Sequence, residues 1–409
     1  MSGNFAPLNC LKGVRVVDLT QFEAGPTCTE ALAWLGAEVV KIENPSRGDP
    51  GRRIASTDAK AADSFYFKIL NANKKSATVD LKTERGVQLV KELVKKADVF
   101  AENLAPGTIE RLGLGYDVLK AINPGIIYCQ VKGFGEGSPY EKSLAFDMIA
   151  QAAGGPISVT GEPDRPPVKP GLSFGDTGTG MLMAATILGA LHERNRTGKG
   201  RRLQLAMQDA MVHYMRTCFC TMQRTGKAAP RNGAKSGGGN NAPSGLYPSK
   251  GGGSNDYVYL TTSRANPEHW SRLMKLIGRE ELIEDPRFAT GNDRVTHSKE
   301  LDAIIGEWTV QHDKRDAMEK LIAVGVPAGA VFDTMELQNE PTFEERGLMQ
   351  VVHQRQGDYK MASWPVRIDG KTVRLKPSPA LGGDSAEVLE NWLGIDTGEF
   401  ANLKSGGVL

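Results

Sequence analysis

One carboxylate, Asp176, sits within the segment Gly171 to Met181 (GLSFGDTGTGM), which leads into an apolar helical pattern. Glycines let a backbone approach a ligand closely, so an acyl group can reach this carboxylate while neighbouring N–H groups face the oxyanion that forms. Carboxylate side chains serve as nucleophiles in covalent catalysis. The same placement also suits an N-terminal helix cap, and this segment alone admits both roles.

Other catalytic signatures are missing from the sequence. There is no Gly-x-x-x-x-Gly-Lys-Ser/Thr run, and Gly113-Leu114-Gly115-Tyr116-Asp117 lacks the last glycine of a dinucleotide fingerprint. No nucleophile elbow of the Gly-x-Ser-x-Gly type stands at a strand-to-helix junction. His192, His213, His269, His297, His312 and His353 show no metal-ligand spacing, so surface or core roles and no bound metal are expected. Cys10, Cys28, Cys129, Cys218 and Cys220 are dispersed and odd in number, which points to packing roles in a reducing compartment rather than a disulfide framework. Arg47, Arg52, Arg53, Lys74, Lys75, Arg111 and Lys132 lie near early loops. They can meet separated phosphates and an adenine face, or form a solvated charged surface.

The elements that must position these groups alternate. Residues 13–19 read as a strand, 28–35 as a helix and 38–43 as a second strand, a βαβ unit. Residues 76–81, 99–100 and 126–131 read as further strands and 84–96 as a helix, giving an α/β fold with a Rossmann-like, mostly parallel sheet. A helix over 181–191, a strand over 202–207 and one helix over 208–222 follow, the last with its cysteine and aromatic side chains in the core. Residues 225–254 are rich in Gly, Ser, Asn and Pro, suiting a linker or a mobile lid. A strand at 257–260, helices near 269–277, 299–309 and 314–324, segments at 349–353 and 366–368, and a final helix near 386–393 complete the pattern. The expected domains are 1–224, a large-domain part that binds the cofactor; 225–325, a connection and a smaller mixed α/β domain; and 326–409, a return toward the large domain.

Composition limits the partners. The 409 residues carry 50 Lys and Arg against 48 Asp and Glu, so the +2 balance makes no case for nucleic acid or a membrane surface. No apolar run is long enough for a membrane helix, and no signal core follows a basic amino terminus. The expected location is the cytoplasm.

Five segments then converge: residues 21–26 (QFEAGP), 35–43 (LGAEVVKIE), 71–76 (NANKKS), 102–107 (ENLAPG) and 174–181 (FGDTGTGM). With residues 197–200 (TGKG), the triple glycine and residues 325–329 (GVPAG), the chain resembles the class III CoA-transferase (CaiB-BaiF) family, formyl-CoA transferase type, over nearly its whole length. The resemblance implies Asp176 as nucleophile and coenzyme A as the carried group. It places CoA contacts on Phe22, Glu23, Ala24, Asn103, Leu104, Thr108, Arg111 and Lys132, with Asp147 near the cleft. Gly175 and the run Gly237, Gly238 and Gly239 are the expected supporting positions, their backbone donors facing oxyanions. The implied mechanism passes through an aspartyl mixed anhydride and an aspartyl-CoA thioester.

The chain departs from that pattern at Glu23 (glutamine there), Asn44 (arginine) and Leu144 (lysine). Leu144, Phe146 and Met148 suit an aromatic acid or substituted succinate, with succinyl-CoA as donor, alongside the formyl-CoA and oxalate alternative. An acyl-CoA racemase would place histidine before the aspartate at 147, where this chain has Phe146, which cannot transfer a proton. A non-catalytic CoA-binding protein is the remaining alternative. The resemblance also implies an interlocked homodimer, with a paralogous partner as a variant, acting on acyl-CoA and carboxylic-acid substrates without nucleic acid or membrane.

Overall fold

The computed structural model describes residues 5–54, 63–235, 240–354 and 357–409. The expected donors Gly237, Gly238 and Gly239 lie outside the described residues. The chain divides into two compact units, one of Met1–Gly155, Pro170–Tyr214 and Glu340–Leu409, the other of Pro156–Lys169 and Met215–Asn339.

The first part runs β1 (Arg15–Leu19), α1 (Ala24–Trp34), β2 (Glu38–Glu43), α2 (Phe65–Leu70), β3 (Lys75–Thr78), α3 (Glu84–Lys96), β4 (Val99–Glu102), α4 (Thr108–Arg111), α5 (Tyr116–Ile122), β5 (Ile127–Lys132), α6 (Asp147–Ala153), α7 (Pro156–Val159), α8 (Phe174–Thr197), β6 (Arg201–Ala206) and α9 (Met207–Tyr214). It continues with α10 (Arg216–Thr225), β7 (Ser244–Pro248), β8 (Tyr257–Thr261), α11 (Glu268–Leu276), α12 (Gly291–Thr296), α13 (Ser298–Thr309), α14 (Lys314–Ala323), β9 (Ala328–Ala330) and α15 (Thr334–Gln338). The last stretch holds α16 (Pro341–Glu345), β10 (Met349–Val352), β11 (Tyr359–Ala362), α17 (Ser385–Leu393) and α18 (Thr397–Ser405).

Six strands form one parallel sheet in the order β3-β2-β1-β4-β5-β6. Alternation along each strand feeds two cores. Val16, Val39, Val99 and Ile127 pack with Cys28, Leu32, Met183 and Ile187 of α1 and α8 on one face. Val17, Val40, Phe100 and Tyr128 pack with Leu89, Leu93, Leu389 and Trp392 of α3 and α17 on the other. Burial on both faces explains why these strands read as continuous apolar runs. Strand order reverses between β1 and β4, and ligands bind beyond the carboxyl ends of strands at such a reversal. The loops after β1 and β4 therefore become the first place to look for chemistry.

The second unit has a three-stranded antiparallel sheet, β7-β8-β9, packed on α11, α13 and α14 through Val258, Leu260, Leu273, Ile305 and Leu321. In the first unit β10 and β11 pair as an antiparallel ribbon. Residues 340–409 belong with the parallel sheet: Asp384 accepts from Ser76 N and Ser385 Oγ from Thr78 N.

Several expected elements change. The helix expected over 181–191 begins at Phe174, so Asp176 lies in its first turn, while Ser173 occupies the cap position. Asp176 is not the N-cap. The single helix expected over 208–222 is broken into α9 and α10, and no residue of α10 is buried. Phe219 and Cys220 are exposed rather than core, as is Cys10. In the segment at 366–368 Ile368 makes an isolated bridge to Lys371, and α18 was not anticipated because its amphipathic pattern is weak.

Candidate active site

The site begins with a tight crossing of α1 and α8. A Cβ on Gly180 would lie 2.5 Å from Ala24 O and 2.9 Å from Thr27 Cβ, so only glycine allows this approach. The crossing brings the starts of both helices together, with Glu23 just before α1 and Asp176 in the first turn of α8. Their polarity places partial positive charge there.

Buried charges hold the loop after β1 from beneath. Lys41 Nζ donates to Thr20 O at 2.6 Å and pairs with Asp49 at 2.8 Å, and Lys74 pairs with Asp18 at 3.2 Å. Phe22 has φ of 62°, a left-handed conformation that costs a non-glycine residue about 1–3 kcal/mol. Three contacts fix it. Phe22 N donates to Asp49 Oδ1 at 3.2 Å, Asn103 grips Gln21 through Oδ1 and Nδ2 at 2.7 and 2.8 Å, and Phe146 meets the Phe22 ring edge-on at 5.8 Å.

Phe22, Glu23, Ala24, Asn103, Leu104, Lys132 and Asp176 line one pocket of about 260 Å³, together with Leu144, Phe146 and Met207. Seven of the expected site residues thus meet around one cavity. Lys132 is the only cation in this lining among the described residues, and it donates to Glu102 Oε2 at 2.8 Å and Leu104 O at 2.6 Å. Arg111 lies elsewhere, in an adjoining cleft of about 570 Å³. The two cavities meet at Pro106 and Lys132. The larger carries Arg111, Lys142 and Arg202 besides Lys132, interleaved with Glu110, Glu136, Glu141 and Asp209. Thr108 lines neither cavity; its hydroxyl accepts from Arg111 Nη2 at 2.9 Å.

Asp147 is buried beside the pocket rather than in its lining. Its oxygens accept from Gln151 Nε2 at 2.9 and 2.8 Å and from Gly175 N at 2.8 Å. The Gly175 N–H, expected to face an oxyanion, is instead committed to Asp147 and ties the start of α8 to the start of α6. Asp176 is treated differently: no described residue donates a hydrogen bond to its carboxylate. Burial raises its pKa to about 7, with further contributions from Glu23 and Asp147. Glu23 is also shifted upward by burial, against the opposing pull of hydrogen bonds from Thr177 and Tyr66.

Three of the basic residues considered as phosphate contacts have other employment. Arg52 is buried, donates to both Glu43 oxygens at 2.8 and 2.7 Å and pairs with Asp63 at 2.7 Å. Lys74 is buried on Asp18, so neither side chain is solvated or free for a ligand. Lys75 pairs with Glu38 and Glu387, each at 2.8 Å. Asn44 closes a local turn by accepting from Ser46 and Arg47. Sequence reasoning missed Tyr66, Glu102, Gln151 and Thr177 as site partners. Only the Glu102-Asn103 pair, at the end of a strand, carried a local signal.

The description CoA-transferase family III matches residues 11–385 of this chain. The chain belongs to that family. It is 38% identical over 413 residues to a Streptomyces avermitilis protein named formyl-CoA:oxalate CoA-transferase, covering 98% of this chain and 99% of that one. An Escherichia coli protein of the same name is 35% identical over 414 residues, covering 96% and 98%. A CAIB/BAIF family protein from Brucella suis superimposes with a TM-score of 0.82 at 34% identity, covering 95% of this chain and 100% of that one.

This class III CoA-transferase acts at the level of acyl-CoA and carboxylic-acid substrates. Among its described residues no group of three or more His, Cys, Asp or Glu side chains is arranged to hold a metal, and no helix is long and apolar enough to cross a membrane.

Proposed function

We propose that this class III CoA-transferase moves coenzyme A from formyl-CoA to oxalate, with Asp176 as nucleophile. The observation that carries the assignment is the pocket carboxylate that receives no hydrogen bond from any described residue. A partly buried, undonated carboxylate is a stronger nucleophile than one held by N–H groups.

Asp176 attacks the formyl thioester carbonyl; the C–S bond breaks, and CoA thiolate and an aspartyl-formyl anhydride result. The thiolate then attacks the aspartyl carbonyl, releasing formate and leaving an aspartyl-CoA thioester. An oxalate oxygen attacks that thioester, and thiolate leaves a second time. Attack of the thiolate on the oxalyl carbonyl frees Asp176 and gives oxalyl-CoA. Ala24 begins α1 at the pocket wall, and its N–H has no partner within the helix, which suits it to receive an oxyanion.

The larger cleft supports binding of the nucleotide end of CoA through Arg111 and Arg202, with Lys132 at the junction toward Asp176. The small volume of the reacting pocket, below the range of cavities that hold drug-sized ligands, favours small acyl groups and acids. A second reading rests on Leu144 and Phe146, 69% and 55% exposed along the same lining, which offer apolar surface to an aromatic acid or substituted succinate with succinyl-CoA as donor.

We also propose that the active species is a homodimer. A panel of CoA esters against small and aromatic acids, read by product mass, tests the substrate. Exchange confined to aromatic acids, with none between formyl-CoA and oxalate, refutes the first reading in favour of the second. Hydroxylamine trapping followed by peptide mass spectrometry tests the nucleophile: modification must map to Asp176.

A further inference from the structure

The pocket holds a second carboxylate, Glu23, whose surroundings differ from those of Asp176. Tyr66 Oη donates to Glu23 Oε2 at 3.3 Å, and Ser173 donates as well. Thr177 Oγ1 lies 3.0 Å from Glu23 Oε1 and 2.8 Å from Ser173 O, so its one proton is shared between them. Hydroxyl donors stabilise negative charge on Glu23 and leave it unsupported on Asp176. The other charges facing this corner do not offset the pair. Asp147 and Asp49 are acidic side chains already receiving N–H bonds, and Lys132 is tied to Glu102.

We propose that Glu23 is a positioning residue for acyl transfer that works through Asp176: its negative charge, when ionised, repels the Asp176 carboxylate and favours every state in which Asp176 is covalently capped and uncharged. The inference rests on Asp176 as nucleophile. When the Asp176 oxygen bonds to the thioester carbon and the C–S bond breaks, the negative charge moves from Asp176 to the sulfur. When the thiolate attacks the aspartyl carbonyl, the charge departs with the donor acid. The repulsion is relieved in both the anhydride and the thioester. Like charges in a partly buried site interact strongly enough to matter here, since one pKa unit corresponds to about a tenfold change in equilibrium.

The test is kcat/KM against pH for the full-length enzyme, together with intact-protein mass spectrometry of the Asp176-CoA thioester. Both are measured in the native protein, Glu23→Gln, Glu23→Asp and Tyr66→Phe. Glu23→Gln should move the acidic limb of the profile down by about one pH unit and lower the ratio of thioester to free enzyme about tenfold. Glu23→Asp keeps the charge and should keep the limb near its native position. Tyr66→Phe weakens the support for charge on Glu23 and should move the limb in the same direction by less, which covers a Glu23→Gln protein that does not fold. A limb that stays in place in Glu23→Gln while thioester still forms, or in Tyr66→Phe where Glu23→Gln does not fold, overturns the proposal. Absence of a thioester at Asp176 in every form, the native protein included, overturns the nucleophile assignment instead.

Discussion

Gly180 of α8 faces the Ala24 carbonyl of α1 so closely that a methyl group on Gly180 would sit 2.5 Å from that oxygen. Real Cβ atoms do not approach backbone oxygen at that distance, so Gly180→Ala must push α1 and α8 apart. Because Glu23 and Asp176 are carried on the starts of these two helices, the displacement reaches the pocket directly. The variant should lose more than about tenfold in kcat/KM, as sub-ångström misplacement of reacting groups does, and melt at lower temperature. Gly189 on the same helix has open space where its Cβ would go. Gly189→Ala should keep full activity and gain about 0.5–1 kcal/mol from helix propensity alone. Thermal melts and steady-state kinetics on the pair separate the packing effect from the generic one.

The parallel sheet was legible because strands such as Val16 to Leu19 and Val39 to Ile42 are apolar on both faces and separated by helix-length patterns. The candidate carboxylate was legible because glycines at 171, 175, 178 and 180 crowd around a lone aspartate. What the sequence did not disclose was employment. Arg52 and Arg111 look alike in one dimension, yet one is buried on Glu43 and the other opens into a cleft, because that distinction depends on partners 9 residues away in the first case and on a fold-wide cavity in the second. Gly175 precedes Asp176 in the chain, but its N–H goes to Asp147, 28 residues earlier, a pairing set by how α6 packs on α8. The break between α9 and α10 was hidden because residues around Tyr214 and Met215 carry no glycine or proline.

The contrast between the two arginines is itself testable. Arg52 is buried with both Glu43 oxygens and Asp63, so Arg52→Met leaves uncompensated buried carboxylates and should cost about 3–5 kcal/mol of stability. Its effect on KM for the CoA ester, measured where the protein remains folded, should be small. Arg111 is exposed and lines the larger cleft. Arg111→Ala should raise KM for the CoA ester while leaving the urea midpoint unchanged. Urea titrations and KM values for both variants decide the matter; a raised KM in folded Arg52→Met would assign that residue to the ligand after all.

Glu30 of α1 is fully buried, accepts from Ala72 N at 2.9 Å, and has its pKa raised to about 8 by burial, against the opposing charge of Lys74. The folded protein therefore holds the Glu30 proton more tightly than the unfolded chain, where the group titrates near 4.5. Its contribution is complete below about 4.5 and is lost as pH rises through about 8. Glu30→Gln keeps an acceptor for Ala72 N without an ionisation. The variant should match the native protein below about pH 4.5 and gain on it in stability as pH rises from there to about 8, read as diverging melting temperatures.

Asp176 carries a similar linkage with a functional edge. Its carboxyl titrates at about 7 in the folded protein against 3.8 for the free side chain, through burial first and then repulsion from Glu23 and Asp147. The folded state binds this proton more tightly, so the contribution is fully present below about 3.8 and disappears as pH rises through about 7. No described residue donates to the carboxylate, so Asp176→Asn removes the ionisation without breaking a structural hydrogen bond. The buried amide adds a penalty that does not vary with pH. The stability difference between variant and native protein should therefore shift in favour of the variant as pH rises from about 4 through about 7, while acyl exchange falls by roughly three orders of magnitude at every pH. Melting curves across that range, paired with exchange assays on the same samples, give both readouts. A stability difference that stays constant with pH would mean that Asp176 does not bear the strained charge this site is built around, even if the variant is inactive.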